Sequence, residues 1–241
     1  MHPVIFKYGP FTIYSYGLMM AVAVVVCSYF LSREAPRVGI PGEAIFDLVF
    51  WTMVAGVVGA RIFYVFLNLD YFRGNPQEIW MIQNGGLAFQ GGFILGSLAA
   101  FLYIKKKRWP FWPTADLAAP YLALGHAIGR IGCFLNGCCY GLPVSWGIYC
   151  PVHGERLHPT QLYDTFALSV IFFILKKFQK HSRQPGATFV LYLLLASIER
   201  FINEFFRGDH FVTYSGLSVY QWVSLGIFMA GIGLYLTIRR K

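Results

Sequence analysis

Charge is what this chain has least of. Asp, Glu, Lys and Arg make up 13% of its 241 residues, roughly half the ~25% of soluble domains. Only eleven of them are acidic. A surface so poor in charge cannot keep a folded domain in water, which excludes a soluble protein. With 56% hydrophobic and 18% aromatic residues and a mean hydropathy of +0.53, the class is an all-α, polytopic membrane protein. The length suits a single transmembrane domain, residues 1–241, with no room for a sizeable soluble one.

Other absences narrow the function. The basic stretches carry no interleaved aromatics, so no nucleic-acid partner is expected. No internal repeat is visible, so the inverted-repeat signature of many transporters is missing. No small-residue cleavage site precedes Arg33 and Arg37, so the first apolar run reads as an uncleaved span. The five cysteines show no zinc-type spacing, because Cys138 and Cys139 are adjacent instead of two or more residues apart. Neither a metal site nor a cofactor is expected. Cys27 reads as a small core residue, and a disulfide of Cys150 with Cys138 or Cys139 is left open for an oxidising compartment.

What the chain does have is apolar runs. A span needs ~20 such residues, and seven stretches qualify: about 14–32, 44–67, 87–104, 115–135, 160–178, 187–206 and 217–238. Thirteen of the 20 Lys and Arg fall in four clusters: Arg33/Arg37, residues 105–108, Lys176/Lys177/Lys180/Arg183, and residues 239–241. These follow the first, third, fifth and seventh runs. The positive-inside rule then puts all four in the cytoplasm, with the N-terminus outside and the C-terminus inside. The outer loops, near 68–86, 136–159 and 207–216, hold the interfacial aromatics Trp80, Trp146, Tyr149 and Tyr214.

Ionisable residues inside a membrane cost several kcal/mol (on the order of 2.5–3.5) and usually serve a site. Arg61 lies in the second run, and His126 and Arg130 lie one turn apart in the fourth. In the sixth, Arg200, Asn203, Glu204 and Arg207 share one helical face, with Glu199 beside it. Embedded carboxylates look too few to neutralise Arg61, Arg130 and Arg200. The surplus suits an anion, and guanidinium grips phosphate in bidentate fashion. At the outer leaflet that anion is a phospholipid headgroup. Asp47 and Asp116 read as capping or interfacial residues, and Tyr16 as an anchor or a site hydroxyl. Residues 84–92, with two Gly pairs, suit a re-entrant loop or a substrate approach, and His158 sits at the entrance of the fifth span.

Taken in order, these motifs resemble the bacterial phosphatidylglycerol–prolipoprotein diacylglyceryl transferase family. The resemblance rests on residues 16–19 (Tyr-Gly-Leu-Met), residues 59–61 (Gly-Ala-Arg), the Gly-Gly-x-x-Phe-x-Gly-Gly loop, and the Gly-Arg-Ile-Gly-x-Phe-x-Asn-Gly motif from Gly129. It continues through the His-Pro-x-Gln-Leu-Tyr box from His158 to residues 200–207. It implies a seven-span inner-membrane enzyme that moves the diacylglyceryl group of phosphatidylglycerol onto the lipobox cysteine of a preprolipoprotein signal peptide. A thioether forms and glycerol phosphate leaves. Carried over, Arg130, Arg200, His158 and Gln90 occupy catalytic positions, while Tyr16, Arg61, Asn136, Glu204 and Arg207 bind substrate. Four positions depart from the pattern: Gln90 stands where His is usual, Cys133 for Asn, Cys138 for Glu and Ala196 for Tyr. Gln cannot act as a base, so the proton acceptor is left open between His158, another group, and a lipobox thiolate held by the local positive field. A paralogue with another acceptor, or a non-catalytic lipid binder or transporter, are the competing readings.

Overall fold

The computed structural model describes residues 1–8, 11–81, 85–182, 184–209 and 216–239. Asn84, Arg183, Tyr214, Arg240 and Lys241 lie outside them. Long helices occupy all seven apolar stretches: α1 (Ser15–Glu34), α2 (Gly42–Leu67), α4 (Phe89–Lys106), α5 (Phe111–Asn136), α6 (Thr160–His181), α7 (Ala187–Asn203) and α8 (Val219–Arg239). A short α3 (Leu69–Gly74) follows α2. By length and hydropathy together, three segments among the described residues reach the standard of a membrane span: Ser15–Val38, Gly42–Leu67 and Val219–Arg239. Two antiparallel hairpins were not expected: β1 (Val4–Tyr8) with β2 (Phe11–Tyr14), and β3 (Pro143–Cys150) with β4 (Glu155–Leu157). Their strands are too short and too irregularly patterned to stand out in a chain where apolar residues are everywhere.

The packing inverts that of a soluble protein. Large apolar side chains such as Phe166, Phe173, Phe93 and Met229 point outward, while Thr160, Gln161, Asp164, Ser197, Asn203, Glu204 and Gln221 are buried. Lipid tails impose no penalty on exposed Phe or Met, so polar groups gather inside, where they find partners.

The chain groups into two compact units, residues 32–114 and residues 1–31 with 115–241. In the first, α2 and α4 pack backbone to backbone. A Cβ on Gly91 would strike the Gly59 carbonyl and Phe63 Cβ, and one on Gly59 would strike the Gly91 carbonyl. Small residues permit this approach, as they do between membrane helices generally. Gly91 and Gly92 are therefore the first turn of α4 seated on α2, which corrects the re-entrant-loop expectation for that end of residues 84–92. Gly91→Val should force the two helices apart and lower the thermal midpoint in detergent, an overpacking cost of about 1–3 kcal/mol. Gly226→Ala, where an added Cβ meets nothing, is the control.

In the second unit, Gly125, Gly129 and Gly132 of α5 face Cys27, Met20 and Met19 of α1. The Cys27 thiol donates to the Tyr121 carbonyl at 3.3 Å. Ala123 and Ala127 of α5 pack against Leu168, Ile171 and Leu175 of α6, with Leu191, Tyr192 and Leu195 of α7. Asp116 is a capping residue, as expected, but for a neighbour: its carboxylate accepts from the Gly186 and Phe189 amides at 2.6 and 2.8 Å, closing the start of α7. Asp47 is exposed on α2.

Candidate functional site: a buried ion network beside an apolar cavity

The end of α5 sets the site. Gly137, at φ 79°, terminates the helix, and its amide and that of Cys138 both return to the Cys133 carbonyl at 2.9 and 3.2 Å. Cys139 is also left-handed, at φ 59°, a conformation uncommon outside glycine and worth attention near a site. The first turn of α6 clamps this bend: Gln161 Nε2 donates to the Cys138 carbonyl at 2.7 Å and Thr160 Oγ1 to the Cys139 carbonyl at 2.8 Å. Residues 140–142 then run between two other strands of chain. The Gly141 amide donates to the His158 carbonyl at 3.1 Å, and the Leu142 amide to the Phe206 carbonyl at 2.9 Å. Only glycine fits at 141, because a Cβ there would meet the carbonyl oxygens of His158 and Phe206.

Three arginines and their acids lie in this unit. Arg130 Nε is 2.8 Å from Asp164 Oδ2 and donates to His126 Nε2 at 3.2 Å. Asn203 donates to the other oxygen of Asp164 and reaches the Thr160 carbonyl at 3.3 Å. Arg200 Nη2 is 2.8 Å from Glu204 Oε2, and Arg207 Nε is 3.6 Å from the same oxygen. Ser218 Oγ donates to Glu204 Oε1 at 2.8 Å. Arg207 is also bidentate with Asp209, at 2.9 and 2.7 Å. Arg200 stacks over Tyr220, 5.0 Å from the ring centre. Its Nη1 is buried and meets no hydrogen-bond partner among the described residues.

The expectation of too few carboxylates is corrected here for Arg130 and Arg200. Asp164, the residue after the His-Pro-x-Gln-Leu-Tyr box, is 1% exposed and pairs with Arg130 from the facing helix. Glu204, fully buried, serves two arginines at once. Glu199 lies against Asp164, with its Oε1 buried and unpartnered among the described residues. A carboxylate pairs across helices according to which faces meet, and linear spacing does not report that.

Beside the network is a cavity of about 540 Å³. Its wall is mostly apolar, from Trp146, Tyr163, Leu195, Ile198 and Phe206, with His158, Glu199 and Asn203 as the polar groups. His158 Nδ1 is 3.2 Å from the Tyr163 hydroxyl, and its ring meets Trp146 edge-on at 4.9 Å between centres. Such a cavity, greasy with a few convergent polar groups, has the character of a ligand site.

Tyr16 and Asn136 lie by the α5 bend: Tyr16 packs on Gly132, and the Asn136 side chain hydrogen-bonds Cys138. The Cys138 thiol donates to the Cys133 carbonyl at 3.7 Å, and the neighbouring Cys133 and Cys138 thiols, with the positive charge of Arg207 and Arg130, hold the Cys139 thiol below the ordinary range. All five cysteines are free, and Cys150 lies buried 3.2 Å from the Met1 sulfur, without a bridge to Cys138 or Cys139.

The structure thus gathers Arg130, Arg200, Arg207, Glu204, His158, Tyr16 and Asn136 in one unit. Arg61 and Gln90 belong to the other. Arg61 is 8% exposed and spends its guanidinium on backbone carbonyls: Ile79 at 2.8 Å, Gly85 at 2.7 Å, Gly86 at 3.0 Å, and Glu78. It ties down the loop between α3 and α4. Gln90 is exposed on the first turn of α4.

A sequence model of the prolipoprotein diacylglyceryl transferase family matches residues 3–237. The chain belongs to that family. Proteins named phosphatidylglycerol–prolipoprotein diacylglyceryl transferase resemble this family member along almost all of its length. The one from Clostridium tetani is 32% identical over 243 residues, covering 98% of this chain and 97% of that protein. Those from Bacillus cytotoxicus and Trichormus variabilis are 34% and 35% identical, covering 97% and 99% of this chain and 90% and 91% of their own. Prolipoprotein diacylglyceryl transferases are transferases by name, so the ion network and cavity are to be read as parts of a group-transfer enzyme of the membrane.

Proposed function

We propose that the protein transfers the diacylglyceryl group of phosphatidylglycerol to the lipobox cysteine of preprolipoprotein signal peptides in the bacterial inner membrane. Residues 1–241 act as one membrane domain whose seven long helices all cross the bilayer, with the N-terminus outside, the C-terminus in the cytoplasm, and the loops near 68–86 and 136–159 on the outer face. The family match running across both compact units without interruption supports a single working domain.

In the reaction the bond between the glyceryl carbon and the phosphate oxygen breaks, a carbon–sulfur bond forms, the thiol proton is lost and glycerol phosphate departs. The leaving phosphate needs a preorganised cationic clamp, and Arg130 and Arg200 supply it, with Glu204 holding Arg200 in place and Arg207 paired to the same carboxylate oxygen. The observation that carries this reading is the buried Nη1 of Arg200, a charged donor with no partner among the described residues, in the same unit as Arg130. A phosphate oxygen satisfies it. Tyr16 and Asn136 line the headgroup end. His158 and Glu199, both on the cavity wall, are the groups within the apolar chamber able to take a thiol proton. Arg61 contributes through the loop it holds, and Gln90 as a polar contact.

The test is a peptide-lipidation assay. Purified protein, given phosphatidylglycerol labelled in its acyl chains and a lipobox peptide, should attach label to the peptide cysteine. Gln90→Ala should slow transfer only mildly. Retention of lipid without transfer to the peptide would instead favour a non-catalytic lipid binder.

A further inference from the structure

Cys133, Cys138 and Cys139 are not accounted for by phosphate binding or by proton transfer in the cavity. Their sulfurs lie within 4.8 Å of one another. A metal ion bound at about 2.3 Å to each of three thiolates holds them roughly 4 Å apart, so side-chain rotation of a few tenths of an ångström brings the trio to ligating distance. We propose that these three cysteines form a trithiolate site for one thiophilic d10 metal ion, of the Zn(II) or Cu(I) type.

Three features of the fold carry this. First, the backbone is bent so as to converge the sulfurs. Gly137 and Cys139, both left-handed, turn the chain after α5 back toward Cys133. Thr160 and Gln161 of α6 hold the Cys139 and Cys138 carbonyls from outside, leaving the thiols to face one another. Without those turns, adjacent cysteines at 138 and 139 would not combine with one five residues upstream. Second, three thiolates and one metal ion leave net negative charge, which an apolar environment tolerates only with cations nearby. Arg207 hydrogen-bonds Cys139, and Arg130 lies close to Cys133 and Cys139. Third, the trio is neither sealed nor loose: Cys133 is buried, while Cys138 and Cys139 are half-buried, leaving an entry path. Zinc would complete a tetrahedron with one further ligand such as water; copper(I) needs only the three sulfurs. Soft sulfur donors select such ions over magnesium or calcium.

The experiment uses the full-length protein in detergent, reduced with a phosphine and freed of metal. One equivalent of Zn(II), or of Cu(I) in a parallel arm, is added, followed by a thiol-alkylating maleimide and peptide mass spectrometry. The expected result in one arm or both is a single retained ion per chain. Alkylation of Cys133, Cys138 and Cys139 should slow by more than about tenfold, since coordination removes the free thiolate, while Cys27 and Cys150 are unaffected. The relative retention in the two arms names the ion. The Cys133→Ser/Cys138→Ser/Cys139→Ser variant, checked for unchanged helicity by circular dichroism, should retain none. Unaltered alkylation of the wild-type protein in both arms overturns the proposal even if that variant does not fold. So does an ion that persists in the folded variant. Neither result bears on lipid transfer, which the peptide assay reads separately.

Discussion

Arg130→Ala is expected to abolish diacylglyceryl transfer and to weaken the fold at the same time. The arginine is one partner of a buried pair whose other member, Asp164, is 1% exposed. Removing a single partner strands a charge in an apolar interior, which costs about 3–5 kcal/mol. Loss of one preorganised donor to a leaving group alone costs about 10²- to 10³-fold in rate. The two effects separate with Arg130→Gln combined with Asp164→Asn. That double variant carries no stranded charge, so its thermal midpoint should recover most of the loss while the transfer rate stays near zero. Arg130→Lys should fall between, because an ammonium cannot match the planar fork of a guanidinium. Undiminished transfer by Arg130→Ala in the peptide-lipidation assay would remove this arginine from the clamp.

Glu204→Ala should be the most destabilising substitution in the molecule. The glutamate is fully buried, and its carboxylate meets Arg200, Arg207 and the Ser218 hydroxyl. Alanine would free two buried guanidiniums and the start of α8, where Ser218 and Gln221 cap each other at 2.8 and 3.2 Å. A loss of at least about 3–5 kcal/mol is expected, read as a fall in thermal midpoint in micelles. Glu204→Gln keeps an acceptor for Arg200 and Ser218 and should restore part of the stability, but with Arg200 less firmly held its transfer rate should remain low. Equal stability of the alanine and wild-type proteins would mean that the ion network contributes nothing.

The helical elements were legible because an apolar run of span length is a strong signal: α6 begins at Thr160 and α7 at Ala187, the first residues of the fifth and sixth apolar runs. The polar stripe from Arg200 to Arg207 was equally legible, since neighbours at three- and four-residue spacing meet on any helix. The stripe does leave the α-helix at Asn203 and finishes in a 3-10 turn, Glu204–Phe206, which brings Arg207 round to Asp209. The hairpins were not legible. Nor was the part played by Asp164 or Glu199, which depends on residues far away in the chain, or that of the three thiols, which depends on a left-handed turn clamped from α6. Arg61 was legible as a buried cation, but the carbonyls that satisfy it come from a loop with no sequence mark of that duty.

By itself the sequence determined that this chain lives in a membrane, where its helices run and which family it belongs to, because apolar length, charge clusters and ordered motifs are local properties of the polymer. The tertiary structure decided which charges are paired, which carbonyl or carboxylate each arginine meets, and that three cysteines without a zinc-type spacing come together. Those depend on how helix faces dock and how a turn reverses, and such contacts are made only when the chain has closed on itself.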